Sequence, residues 1–196
     1  MKTDSIIVCI ALSLLLPSSG FTQSTFHFAN FNGPFINAPV FDAQGTALAG
    51  TNYLAELYGG ATANSLSPLV IINQGNRREI VPFVINGYFV STSASLAVLA
   101  VPPGGLAWLQ ARAWDARLGA TYEDVTALGI GGYGESPLFN TRGGDPFDQF
   151  PIPGPLYGLQ SFSLRPVVPE PSTWALFALG GGAFAWVARR KRHRRS

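Results

Sequence analysis

The stretch that most limits what this chain can become is "VPPGGLAWLQARAWD", residues 101–115. Two prolines and two glycines stop any regular element, and a run of two-residue alternation follows. Ala107, Leu109, Ala111 and Ala113 fall on one side; Trp108, Gln110, Arg112 and Trp114 fall on the other. A period of two belongs to a strand with one apolar face, whereas a helix would repeat every 3.6 residues. A fold built on such a strand must supply partners for both of its edges and a cover for its alanine face.

The rest of the body offers those partners. "TNYLAELY" (51–58) alternates in the same way. "LVIIN" (69–73), "PFVI" (82–85), "GYFVS" (87–91) and "SLAVLAV" (95–101) are short apolar runs, and "TFHFANF" (25–31) and "LQSFSLRP" (159–166) flank them. About eight strands separated by turn residues predict a mainly β body over 25–166, an antiparallel β-sandwich of jelly-roll type. The 22 glycines and 15 prolines of the chain agree with short strands and tight turns. Thr121-Tyr122-Glu123-Asp124 has the form of a capping box, so one short helix is expected at 121–128. Residues 143–155, rich in Gly and Pro, are expected to be a loop.

The two ends differ from the body. Lys2, the apolar run Ile6–Leu16, the break at Pro17 and the small residues beyond it form a secretory signal peptide over 1–24, cleaved after Gly20 or after Ser24. The only cysteine, Cys9, lies inside that leader, so the mature chain is expected to have no disulfide, thiol nucleophile or cysteine-bound metal. At the other end six of the thirteen Lys and Arg residues crowd the last eight positions. Without them, 24–168 holds six basic and nine acidic residues, a net of −3. The basic balance of the chain therefore belongs to the tail and gives the body no nucleic-acid surface.

The tail has three parts. Pro169, Glu170 and Pro171 come first. Thr173–Ala188 follows with no charge, roughly 24 Å long as a helix and read as a transmembrane segment with Trp174 and Trp186 near its ends. Arg189, Arg190, Lys191, Arg192, Arg194 and Arg195 close it as a stop and orientation signal. Together, residues 167–196 resemble the PEP-CTERM sorting signal of exported proteins of Gram-negative bacteria. The resemblance implies recognition of Pro169, Glu170 and Pro171 by an exosortase, a membrane cysteine protease-transpeptidase. It also implies a single-pass inner-membrane precursor with its body in the periplasm, later released to the envelope or the extracellular space. The membrane is then a partner before processing, and extracellular polysaccharide is an optional one. The body, from "FHFAN" to "YGLQSFSL", is similar to small β-rich domains associated with such proteins.

Chemistry-bearing patterns in the body are sparse. His27 is its one histidine, and zinc needs three or four donors. "GIGGYG" (129–134) fits a dinucleotide fingerprint in its glycines only, since Glu135-Ser136-Pro137 starts no suitable helix. Glu123 and Asp124 are adjacent, and Asp145 and Asp148 lie in the Gly/Pro loop. Trp108 and Trp114 share a strand face, as a sugar-binding platform would require. The reading is a non-catalytic exported protein with a structural or adhesive β-domain and no cofactor. The alternative is an envelope carbohydrate-binding or carbohydrate-active protein that uses the loop acids or the tryptophans.

Overall fold

A computed structural model describes residues 23–168, apart from 93–94, 146–147 and 150–151. The leader to residue 22 and the tail from 169 onward lie outside the described residues. In chain order the elements are β1 (Ser24–Phe26), β2 (Phe31–Asn32), β3 (Ile36–Asn37), β4 (Val40–Phe41), β5 (Gly50–Gly60), β6 (Ser67–Pro68) and β7 (Val70–Ile71). A 3-10 turn at Ile72–Gln74 leads to β8 (Arg77–Arg78), β9 (Ile80–Phe83), β10 (Leu96–Val98) and β11 (Leu106–Asp115). The helix α1 (Tyr122–Leu128) precedes β12 (Tyr133–Glu135), β13 (Phe139–Arg142) and β14 (Phe162–Ser163).

The alternating runs at 51–58 and 106–115 form the two long strands, β5 and β11. They pair antiparallel from Tyr53↔Asp115 to Gly60↔Trp108. β12 and β13 add to β11, and β6 and β9 add to β5, to give a six-stranded sheet. The alternation sorts side chains as the sequence requires. Ala55, Leu57, Ala107, Leu109, Ala111 and Ala113 enter the large apolar core. Small residues let that core close tightly: a side chain at Gly59 would lie 2.7 Å from Leu109 and 2.8 Å from Leu69. Phe26, Phe28, Val40, Phe83, Phe89 and Leu96 cover the core from short strands and connecting segments, all of them almost completely buried.

The antiparallel β-sandwich or jelly roll expected from the sequence is not what forms. The described residues are mainly β with one short helix, and none of their sheets closes. The second sheet is four short strands, β1-β10-β7-β8, and two further pairs stand apart, β14 with β4 and β2 with β3. Among the described residues only β5 and β11 exceed four residues. The reason lies in the breakers. β6 and β9, at the margin of the six-stranded sheet, carry Pro68 and Pro82, which have no N–H to offer a further strand. Several expected strands shrink for the same kind of reason: 69–73 gives only β7 before the 3-10 turn, and 87–91 contributes only single bridges, Ile85↔Tyr88 and Ala29↔Val90.

Where regular pairing stops, one polar side chain takes over. Asn30 is fully buried. Its Nδ2 donates to the carbonyls of Ala38 (2.7 Å) and Gly87 (2.8 Å), and its Oδ1 accepts from the N–H of Phe89 (2.8 Å). It thereby holds the 85–89 turn against the segment before β4. The Gly87 carbonyl also accepts the Val40 N–H at 2.9 Å, so without Asn30 the Ala38 carbonyl and the Phe89 N–H are the groups that lose their bond, at a cost of about 1–3 kcal/mol apiece.

The expected transmembrane helix and single-pass inner-membrane topology also need correction. Among the described residues no helix is long and apolar enough to cross a membrane. The one α-helix, seven residues long, is about 10 Å, against roughly 30 Å of hydrocarbon. The segment 173–188 on which that expectation stood lies outside the described residues, as do residues 1–22 of the expected leader.

The core makes a direct demand. Leu109→Ala should lower the unfolding free energy by about 2–5 kcal/mol, because Leu109 is wholly buried and its neighbours are already in close contact. Urea unfolding followed by tryptophan fluorescence measures it, and a change near zero would mean that the alanine face is loosely packed.

Candidate functional site

The face of the six-stranded sheet turned away from the main core carries most of the chemistry in the body. The alternation that buries Ala111 and Ala113 sends Gln110, Arg112 and Trp114 the other way, and on β5 it sends Leu54, Glu56 and Tyr58 with them. α1 lies over this face. It begins as the sequence suggested: the Thr121 hydroxyl accepts from the Asp124 N–H, and the Asp124 carboxylate accepts from the Thr121 N–H. Gly129 ends it in the left-handed conformation, at φ 71°. Tyr122 and Val125 pack with Trp114 into a second small apolar cluster.

Around that cluster runs a closed polar network. Glu56 has no exposed surface. Arg78 from β8 meets it with two parallel bonds, Nε to Oε1 at 2.6 Å and Nη2 to Oε2 at 2.5 Å. The same Arg78 reaches the Tyr58 hydroxyl (3.0 Å) and Glu123 on the helix (3.1 Å), and the Tyr58 hydroxyl donates to Glu123. The Arg112 guanidinium lies over the Tyr58 ring at 3.9 Å and the Tyr122 ring at 4.9 Å, and its Nε donates to Gln110. Tyr122 donates to Glu135 (3.0 Å), which also faces Arg165 at 3.8 Å.

The electrostatics follow from these contacts. Burial, then the bond to Glu123, pushes the Tyr58 hydroxyl above its ordinary range; burial and Glu135 do the same to Tyr122. The two bonds from Glu56 hold the Arg78 proton more firmly still. For Glu123, burial raises the carboxyl, but the Tyr58 hydroxyl, backbone N–H and Arg78 outweigh it and leave it below its usual range. Beyond the network, the Arg117 side chain holds Asp115 below the usual carboxylate range. A general acid or base needs a proton it can exchange near neutrality. Tyr58, Tyr122, Arg78 and Glu123 are all pushed away from it, and the bonds of Arg78 to Glu56 and Glu123 and of Tyr58 to Glu123 fasten the helix to the sheet.

The patterns singled out in the sequence are not brought together. His27 is half-buried between Phe26 and Phe28, which are fully buried. Glu123 and Asp124 stand in the first turn of α1, one tied to Arg78 and one serving as a cap. Asp148 is exposed and accepts the N–H of Gln149. Among the described residues no group of three or more His, Cys, Asp and Glu side chains could hold a metal ion. Trp108 is half-buried, while Trp114 is fully buried with its Nε1 donating to the Gly119 carbonyl at 3.2 Å, so the two rings do not form one exposed platform. The glycines of "GIGGYG" follow a helix, not a strand. A side chain on Gly131 would run into the Pro166 carbonyl oxygen, and one on Gly134 into that of Ser163. They make room for the last stretch of the body. Sequence reading passed over Glu56 and Arg78. Its one available signal was a charge set on the side opposite the alanines in each long alternating run, Glu56 in one and Arg112 in the other.

Elsewhere an apolar groove of about 430 Å³ is lined by Phe31, Val84, Ile85, Tyr88, Phe89 and Val90. None of these lining side chains is charged. The sorting residues Pro169, Glu170 and Pro171, and the basic cluster Arg189, Arg190, Lys191, Arg192, Arg194 and Arg195, lie outside the described residues.

Two measurements test the network. Glu56→Ala should cost about 3 kcal/mol of stability, near the lower end for a broken buried pair because Arg78 is partly open to water. A change within 0.5 kcal/mol would remove its fastening role. For pH, the folded forms of Asp115 and Glu123 hold their protons less firmly than the unfolded chain. The stability they give is full above about pH 5 and is lost as pH falls through their folded values. Urea midpoints should therefore drop below about pH 5, with a shallower drop in Asp115→Asn; an identical acid limb in that variant would show that the Arg117 contact contributes nothing.

Compared with known proteins, residues 167–192 match the model of the PEP-CTERM protein-sorting motif. No curated protein and no solved structure matches the chain. A non-catalytic PEP-CTERM sorting motif is thus present at the C-terminus, and its first two residues, Val167 and Val168, are the last described residues of the body.

Proposed function

We propose that this chain is an exported protein whose C-terminus is read and trimmed by an exosortase, and whose β-rich body plays a structural or adhesive part in the cell envelope or extracellular matrix. The observation that carries the reading is the PEP-CTERM protein-sorting motif at 167–192. Within it, Pro169, Glu170 and Pro171 are the recognition element. Proline fixes φ and disfavours helix at the residue before it, and a protease cleft binds non-helical peptide, which is why a triplet of this composition suits recognition. The basic residues from Arg189 to Arg195 complete the signal. The body acts as cargo, and its tied carboxylates and tyrosines are in keeping with a part that involves no turnover.

The leader is the other half of the reading. Of the two cleavage points in the sequence, the one after Gly20 fits the body better. Ser24 is fully buried in β1; its N–H donates to the Val101 carbonyl at 2.9 Å and its hydroxyl to the Gly105 carbonyl at 3.2 Å. Cleavage after Ser24 would remove these bonds and the start of β1.

Intact mass of the mature protein from its native host tests both ends at once. The expected species begins at Phe21 and lacks the apolar run and basic cluster of the tail. Its isoelectric point falls below neutral, because six basic residues leave and nine acids remain in the body against six bases. Replacing Pro169, Glu170 and Pro171 together by alanine should leave the C-terminus whole. The same full-length C-terminus in wild type and triple variant would sink the proposal.

A further inference from the structure

The stretch directly ahead of the triplet does not leave the body freely. Phe162 and Ser163 pair parallel with Val40 and Phe41. The Leu164 N–H donates to the Phe41 carbonyl at 2.9 Å and the Arg165 N–H to the Tyr133 carbonyl at 2.8 Å. The Arg165 carbonyl accepts from the Gly132 N–H at 2.9 Å, and the Val168 N–H donates to the Ile130 carbonyl at 2.8 Å. Backbone bonding thus continues to the residue adjoining Pro169. Side chains add to it: Arg165 lies over the Tyr133 ring at 4.8 Å, bonds its hydroxyl at 3.1 Å and faces Glu135, while Leu164 is buried in the main core. Gly131 and Gly134 leave the space that this stretch fills, as described above.

We propose that residues 162–168 form a docked strap that withholds the peptide bonds around Pro169, Glu170 and Pro171 from the processing enzyme until the strap peels from the body. The inference rests on the proposed reading of that triplet as the enzyme's recognition element. A protease holds its substrate extended through backbone bonds on both sides of the cut. Here Leu164, Arg165 and Val168, on the amino side, have already committed N–H or C=O groups to Phe41, Tyr133, Gly132 and Ile130. The body and the enzyme therefore compete for one set of N–H and C=O groups, and local opening of the strap sets the rate. The reaction being gated is ordinary peptide cleavage: the acyl carbon passes to water or an amine, and the released nitrogen leaves as an amine. Whatever loosens the strap speeds trimming without any change in the triplet itself.

Two variants of the full chain, followed by pulse-chase and intact mass in the native host, test this. Inserting six Gly and Ser residues between Val168 and Pro169 leaves the strap docked but supplies free backbone beside the triplet. Trimming should accelerate about tenfold, since cleavage no longer waits for local opening. Arg165→Ala removes the Tyr133 and Glu135 contacts without changing the distance from body to triplet, and should accelerate trimming severalfold. If wild type and both variants are trimmed at one rate, no strap limits the reaction. Acceleration by the insertion alone would assign the delay to the bulk of the body and overturn the strap. Absence of any trimming in wild type would remove the proposed function together with this inference.

Discussion

The pairing of β5 with β11 is the constraint on which the rest depends. Every other strand of the larger sheet docks on one of these two, and their register decides which side chains meet the core. A slip of one residue would turn Glu56, Tyr58 and Arg112 into the apolar interior and expose Leu57 and Leu109. The alanines at 107, 111 and 113 give little apolar area each, and they share the core with Phe26, Phe28 and Phe89. Aromatic bulk from short, irregular segments then compensates for the small residues of the long strands.

The opposite face works by a different balance. A buried ion pair such as Glu56–Arg78 loses much of its Coulombic gain to desolvation, so its presence is a weak argument for stability. Its value lies in specificity. Arg78 joins β5 to β8 and to α1, and the Tyr58 hydroxyl and the Arg112 stack tie the same helix again. An apolar patch alone would let a seven-residue helix slide, because hydrophobic contact has no direction. The charged network gives the helix one seat.

Much of this was legible in the sequence, and the limits have physical causes. The long strands and the capped helix follow from alternation and from the Thr121–Asp124 box, both of which are local signals. The sheet arrangement did not follow, because a jelly roll was inferred from the number of apolar runs and not from their length after Pro and Gly had cut them. The turn at Asn86-Gly87, between two runs read as separate strands, was present in the letters as a dipeptide that favours hairpins. Glu56 and Arg78 are 22 residues apart, and their meeting depends on the path of the chain between β5 and β8. For the sorting signal the reverse holds: three consecutive residues, a charge-free run and an arginine cluster are legible with no fold at all.

The two ends of the body are tied into it by distant partners. β1 bonds to Gly144, 119 residues away, and β14 runs beside β4. Contacts of such separation form slowly, since the intervening loop must close before they reward the chain. A chain emerging from its amino end therefore cannot complete this domain early: β4 lacks its neighbour until Phe162 and Ser163 have been made. Those residues end at position 163, and the sorting motif begins at 167. Completion of the domain and appearance of the motif consequently fall almost together in synthesis, so a truncated chain would lack both its closing strand and its address.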